Sequence, residues 1–348
     1  MIAKLNPEML LLARDVRGMT QKEIAERSSL TQGYLSLVEA GEKDASPEAI
    51  ERLAAALQVP LGFLIQDERY TGFGISMMFY RKRSTALVSH LKRLQAEVNL
   101  RRIHVKTLLR GVDMSARLTT KKMCVCDHGS PENVAERLRA QWMIPIGPVR
   151  NLVATIESAG SIVFRFPFGT KDIDAISQWP EDTPPLFFVN AEISADRARF
   201  SLAHELGHVI MHDAVTEEIE DEANRFAAEF LMPARDIRSQ LLGIDISKAA
   251  AMKPQWRVSM AALIRRARDL GRITDDTYRK LFIRLGQLGF RKEEPNRIAG
   301  EEPTVIPRIL NVYFEQNVAV DTLAEILKWP ADELLPRYLP AASMRIAQ

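Results

Sequence analysis

The chain has 348 residues, 46% hydrophobic and 26% charged, enough to bury the cores of two or three domains. Its formal net charge of +2 singles out no class of partner, and no stretch reaches the run of about 18 uncharged apolar residues that a membrane span needs. The N-terminus lacks the apolar core of a secretion signal, and Cys124 and Cys126 are too few and too close together for a disulfide scaffold, so a cytoplasmic protein with no membrane association is expected.

Residues 8–66 predict five short helices. Met9, Leu12, Ala13 and Val16 recur at helical spacing up to Gly18. Thr20 caps the next helix, with Glu23 as its capping-box partner. After a turn at Ser28–Leu30, Thr31 caps a third helix through Leu35 and Val38, which Gly41 closes. Ser46-Pro47-Glu48 opens a fourth through Ile50, Leu53 and Leu57; Pro60 ends it, and a short fifth turn follows. Two short helices across a tight turn suit a crossed pair whose second member lies in the major groove of DNA.

The run Thr20-Gln-Lys-Glu-Ile-Ala-Glu-Arg-Ser-Ser-Leu-Thr-Gln-Gly-Tyr-Leu-Ser-Leu-Val-Glu-Ala-Gly41 resembles the Cro/repressor type of helix-turn-helix. The resemblance implies double-stranded DNA as a partner, and a homodimer is expected. Thr31, Gln32, Gly33 and Ser36 form the candidate DNA-facing end of the third helix, where amide side chains read adenine edges. Gln21, at the start of the preceding helix, is assigned to hold a phosphate or brace Gln32. Tyr34, Leu35 and Val38 are assigned to the core. Leu37 stands where this type often has Arg, and residues 1–66 carry seven basic and nine acidic side chains, which supplies little phosphate attraction.

Residues 67–126 read as a basic helical linker. The stretch 67–80 is expected to be non-helical at first; from about Thr85 to Leu109, Leu87, Leu91, Leu94 and Val98 predict a long helix. Between 81 and 110, nine basic residues, beginning with Arg81, Lys82 and Arg83, face one acid, Glu97. Arg101, Arg102 and Lys106 are therefore candidate phosphate contacts, the alternative being a solvated helix face packed on the rest of the protein. A polar linker is expected near 112–131. Cys124-Val-Cys126-Asp-His128 lacks a fourth ligand for a structural zinc, so ordinary free thiols are expected. Trp142, Trp179, Trp256 and Trp329 show no stacking pattern and are assigned to core or groove lining.

Residues 127–295 alternate helices with two strand candidates. Helices are predicted at about 132–142, from Asp196 onward, over 217–231 up to Pro233, and at 259–270 and 274–287; Ile162–Phe166 and Leu186–Val189 read as strands. The whole chain is thus mainly α with a small β-sheet, an α+β protein. Leu186–Val189 is either a plain core strand or an edge strand that pairs with an extended peptide.

The helix from Asp196 carries His204-Glu205-Leu206-Gly207-His208. Histidines four apart share one helix face and can grip one tetrahedral zinc, while Glu205, beside the first, can take a proton from an attacking water. Phe200, Leu202, Ala203, Leu206, Val209 and Ile210 make the helix apolar, so its imidazoles are buried and need partners. Catalytic zinc usually keeps three protein ligands. Glu220, twelve residues past His208, is the preferred third; Glu222 is a rival pointing about 200° away on the helix, and His212 a rival too far along one straight helix. Asn224, one turn after Glu220, suits an outer partner of a ligand histidine.

The segments Asp196-Arg-Ala-Arg-Phe-Ser-Leu-Ala-His-Glu-Leu-Gly-His-Val-Ile-Met-His212, Glu220-Asp-Glu-Ala-Asn-Arg-Phe-Ala-Ala-Glu-Phe-Leu-Met-Pro233 and Val258-Ser-Met-Ala-Ala-Leu-Ile-Arg-Arg-Ala267 resemble the ImmA/IrrE metallopeptidases. The resemblance covers roughly 127–295 and implies a zincin-like domain with Zn2+, His204, His208 and Glu220 as ligands and Glu205 as the base. Family members cut a repressor protein and so turn on genes. In the radiation-response members the peptidase precedes the helix-turn-helix; here the order is reversed.

Residues 290–303, with two prolines and seven charges, read as a linker, and 296–348 as a helical C-terminal module in which Thr322-Leu-Ala-Glu-Ile-Leu echoes Gln21-Lys-Glu-Ile-Ala. The expected function is a DNA-binding zinc endopeptidase acting on a transcription repressor. The alternative is a transcription regulator whose peptidase-like domain senses a ligand or peptide without proteolysis.

Overall fold

The computed structural model describes residues 4–72, 88–112 and 116–339. They fall into two compact units, one made of 4–72, 88–112 and 304–339, the other of 116–303. Among the described residues helices dominate and the strands form one small sheet, so the α+β class holds. Among the described residues no helix is long and apolar enough to cross a membrane.

The first unit begins with the five expected helices: α1 (Pro7–Arg17), α2 (Gln21–Ser28), α3 (Gln32–Glu39), α4 (Pro47–Leu57) and α5 (Leu61–Leu64). Their ends follow local chemistry. Gly18 adopts φ +65° and returns its N–H to Arg14 and Asp15 carbonyls, ending α1. Both halves of the Thr20 capping box form: Thr20 Oγ1 accepts from the Glu23 N–H (3.2 Å), and the Thr20 N–H donates to Glu23 Oε2 (2.7 Å). Leu12, Ala13, Ile24, Leu35, Val38 and Leu53 close the core. The long helix α6 spans Val88–Leu108; residues 85–87 of its expected start, the basic residues Arg81, Lys82 and Arg83, and 73–80 lie outside the described residues.

The second unit contains α7 (Val125–His128), α8 (Pro131–Gln141), α9 (Leu152–Ser158), β1 (Ile162–Phe166), β2 (Ala175–Gln178), β3 (Leu186–Asn190), α10 (Ala195–Met211), α11 (Ile219–Leu231), α12 (Ala234–Ile237), α13 (Ile246–Trp256), α14 (Met260–Asp269) and α15 (Asp275–Gln287). The strand order is β1-β3-β2, with β1 parallel and β2 antiparallel to β3. This corrects the edge-strand alternative for Leu186–Val189: β3 is central, and its backbone is paired on both sides. Sequence reasoning missed β2, four residues without a clear alternation, and the short helices α7, α9 and α12 as well as α13.

Cys124 and Cys126 are joined in a disulfide, which corrects the expectation of free thiols. Asn190, fully buried, shapes the loop between β1 and β2. Its side-chain amide donates to Thr170 O (2.7 Å) and Ile173 O (2.9 Å), and its Oδ1 accepts from the Phe168 and Glu192 N–H groups. That loop delivers β2 against α10. Leu202, Leu206 and Ile210 of α10 share one core with Phe226 and Phe230 of α11 and Phe187 of β3. Buried charges are locked into it. Arg199 pairs with Glu301, whose carboxylate also accepts the Leu152 and Val153 N–H groups at the N-terminus of α9. Glu301 lies in the stretch expected to be linker.

The chain returns to the first unit with α16 (Val305–Glu315), α17 (Val320–Leu327) and α18 (Ala331–Tyr338). The weak echo in sequence is a repeat in geometry. Like α2 and α3, α17 and α18 are 8 residues each, with three residues between them. Lys328 at φ 53° occupies the left-handed cap that Ser29 holds at φ 55°, and Ala324 matches Ala25 as the acceptor of the cap N–H. Trp329 fills the turn. It is fully buried, edge-on to Phe63 (centroids 5.3 Å apart), with the Arg17 and Arg337 guanidiniums each 5.2 Å from its ring centre. Arg17 also pairs with Glu333 (2.6 Å), so α18 is bound to α1.

Candidate metal centre and nucleic-acid interface

The apolar stripe of α10 faces the core, and this buries His204 and His208 together with Glu205. Helix α11 crosses α10 at Gly207 and brings Glu220 alongside. The His204 and His208 Nε2 atoms are 3.0 Å apart; Glu220 Oε1 lies 3.3 Å from His208 Nε2, and Glu220 Oε2 lies 3.7 Å from His204 Nε2. Zinc–ligand bonds of about 2.0–2.1 Å in a tetrahedron set neighbouring donors about 3.3 Å apart, so this donor set fits zinc.

The outer contacts favour the same assignment. His204 Nδ1 is 3.1 Å from Asn224 Oδ1, and the Asn224 amide nitrogen donates to Glu220 O (2.7 Å), which leaves its oxygen as the acceptor for the ring. Burial pushes His204 down to about 4, with the neighbouring His208 acting in the same direction and Glu220 and Asn224 opposing, so the ring is neutral with Nε2 bare. His208 Nδ1 meets His212 Nδ1 at 2.9 Å, and His212 Nε2 lies 3.0 Å from Glu222 Oε2. Glu222 and His212, the rival ligands, therefore face each other instead. Ser177 of β2 donates to Glu205 Oε2 at 2.6 Å; the sequence offered no cue to it, because the strand that carries it was not legible.

In the first unit Gln32, Gly33 and Ser36 are exposed on α3, and Leu35 and Val38 are buried. Thr31 is also exposed, and its Oγ1 accepts from the Tyr34 N–H (3.2 Å), so it serves as the cap. Tyr34 is half-buried, with the Lys43 ammonium 4.8 Å above its ring centre. Gln21 donates to Glu39 Oε2 (2.6 Å) and so braces α3 through Glu39, not Gln32.

The candidate phosphate contacts on α6 need correction. Arg101 and Arg102 are 4% and 5% exposed. Arg101 pairs with Glu97, which also takes Arg337, and Arg102 donates to Arg69 O (2.6 Å). Burial pushes the Glu97 carboxyl up, but Arg101 and Arg337 outweigh it and hold the group below the usual carboxylate range. Lys106, half-buried, pairs with Glu68 (3.1 Å). Arg101 and Lys106 are thus paired with acids inside the unit and Arg102 is turned onto a backbone carbonyl, so they do not form an open face for DNA.

Comparison with known proteins agrees with both units. Residues 10–64 match the helix-turn-helix family, and residues 156–268 match the IrrE N-terminal-like domain. The chain therefore carries an IrrE-like domain behind a helix-turn-helix domain, a DNA-binding fold. It is also similar to the transcriptional regulator ClgR of Mycobacterium tuberculosis, in strains CDC 1551 / Oshkosh and ATCC 25618 / H37Rv, at 35% identity over 60 residues. That alignment covers 17% of this chain and 54% of the relative, so the chain spans about half the length of the curated relatives it matches.

Proposed function

We propose that the protein is a transcription regulator that binds double-stranded DNA through α3 and cuts a regulatory protein, a repressor above all, with a zinc-dependent endopeptidase site. The observation that carries this reading is the trio of buried His204 and His208 with half-buried Glu220, three donors 3.0–3.7 Å apart with Glu205 beside them. Zinc held by these residues would polarise a peptide carbonyl and lower the pKa of water. Glu205, oriented by the Ser177 hydroxyl, accepts the proton of the attacking water and returns it to the departing amine. Asn224 keeps the His204 ring in the tautomer that leaves Nε2 bare.

On the DNA side, Gln32 reads a base edge while Gly33 and Ser36 allow close approach; a homodimer would place one α3 in each of two half-sites. Replacing Gln32 with Ala should cost about 1–3 kcal/mol of specific binding and leave non-specific binding unchanged.

The decisive variant is Glu205→Gln. It should keep zinc and DNA binding and abolish cleavage, read by comparing protein cleavage products in cells carrying the wild type and the variant. Continued cleavage rejects Glu205 as the base. Zinc-loaded wild type that cleaves nothing, or purified protein without zinc, favours the alternative in which the domain senses a ligand.

A further inference from the structure

We infer that Glu222 and His212 form a relay that sets the tautomer of His208 and so prepares it as a metal ligand. The inference rests on the zinc reading above and adds two positioning residues to it.

His212 is the residue at which α10 ends, with φ −113° and ψ 128°, and its N–H still donates to His208 O (3.1 Å). Leaving the helix turns its ring back onto His208: the two ring centres are 5.0 Å apart, and the facing atoms are Nδ1 and Nδ1, at 2.9 Å. Its backbone is held there from outside, because Lys122 Nζ donates to His212 O (2.8 Å). Both rings are buried, at 4% and 6% exposure, so neither nitrogen of the contact is served by bulk water.

Two Nδ1 atoms at hydrogen-bond distance admit one proton between two neutral rings. The carboxylate decides where it goes. Glu222 Oε2, 3.0 Å from His212 Nε2, accepts a hydrogen bond and so holds the His212 proton on Nε2. His212 Nδ1 is then bare and accepts. His208 must place its own proton on Nδ1, which leaves His208 Nε2 bare, facing His204 Nε2 at 3.0 Å and Glu220 Oε1 at 3.3 Å. Without Glu222, His212 can carry its proton on Nδ1 instead. The His208 proton is then driven to Nε2, and that form cannot bind a metal.

Helix α11 thus supplies three roles in five residues. Glu220 is a ligand, Asn224 fixes His204, and Glu222 fixes His208 through His212. Glu222 reaches the ring of His212, the residue at which α10 ends, while Glu220 reaches His208 one turn earlier.

The test is zinc affinity of the full chain, measured by competition with a chromophoric chelator, with the visible bands of the Co2+-substituted protein as a second readout. His212→Phe should weaken zinc about 10–100-fold, and Glu222→Ala should weaken it in the same direction. His212→Asn, whose Oδ1 can accept from His208 Nδ1, should recover part of the loss, and Glu222→Gln should lose less than Glu222→Ala. Both His212 variants should change the cobalt spectrum. Affinities of His212→Phe and Glu222→Ala within twofold of wild type overturn the relay. Glu222 lies at the rim of the site, with its side chain 24% exposed, so its variants keep the test open if His212→Phe fails to fold. Wild type that takes up no zinc overturns the metal reading itself, whereas zinc-binding wild type with unaffected variants overturns the relay alone.

Discussion

A Cβ on Gly207 would stand 3.3 Å from the Cα of Ala223 and 3.0 Å from the Phe226 Cδ1. The absence of a side chain at the fourth position of the His-Glu-Leu-Gly-His run is what lets α10 and α11 approach closely enough for Glu220 to reach both histidines. Gly207→Ala should push α11 outward by a few tenths of an ångström, cost about 1–3 kcal/mol of stability and weaken zinc binding. Thermal denaturation with and without zinc measures both effects. A variant that binds zinc as tightly as wild type would show that the approach at Gly207 does not position Glu220.

Ser177→Ala removes the hydroxyl that orients Glu205. A hydrogen bond to a charged group contributes about 1.5–3 kcal/mol, so turnover of the protein substrate should fall about tenfold or more. Zinc content should stay at the wild-type level, because the Ser177 hydroxyl donates to Glu205, which is not one of the three donors. Equal loss of zinc and activity would instead mean that β2 serves to hold the site together.

Trp329 ties the C-terminal helices to the start of the chain, packing on Phe63 and under Arg17 and Arg337. Trp329→Ala should destabilise the first unit by about 3–5 kcal/mol, the usual effect of deleting a buried aromatic. Removing residues 304–348 should do more. Denaturant unfolding followed together with DNA binding and zinc content separates the outcomes: DNA binding falls with the first unit, and zinc content holds. Unchanged DNA binding and stability after the truncation would contradict a structural role for α16–α18.

His104 gives the first unit a pH dependence. Burial, reinforced by Arg337 and Arg101, holds its pKa well below the ordinary 6.5. Its Nδ1 contacts the Tyr338 hydroxyl at 2.5 Å, and burial pushes Tyr338 up, so the phenol stays protonated. Below about pH 6.5 the unfolded chain takes up a proton that the folded chain refuses. The stabilisation is therefore complete above that pH and is lost as pH falls from it, with a slope of up to about 1.4 kcal/mol per pH unit. Urea unfolding of the wild type and His104→Gln between pH 7 and 5 reads the slope. Equal slopes in the two proteins would assign the pH dependence to other groups.

Much of this architecture was determined locally. Thr20 and Glu23 specify one helix start, Gly18 specifies a helix end, and the spacing of His204 and His208 places both rings on one face, because caps and helical periodicity act over three or four residues. Glu220 and Asn224 could be chosen from their positions on the next helix. Other features depend on which segments meet, and no local pattern encodes that. Arg101 and Arg102 look like a solvated basic stripe in sequence; packing buries them against Glu97 and Arg69. Leu186–Val189 carries the same residues whether central or at an edge, and only pairing with both β1 and β2 makes it central. Ser177 comes to Glu205 through a loop that Asn190 holds from 17–22 residues away in sequence. Glu222 faces His212 only because α11 crosses α10 over a glycine. The sequence by itself determined the donors; the crossing of two helices and the placement of one short strand decided which groups hold them.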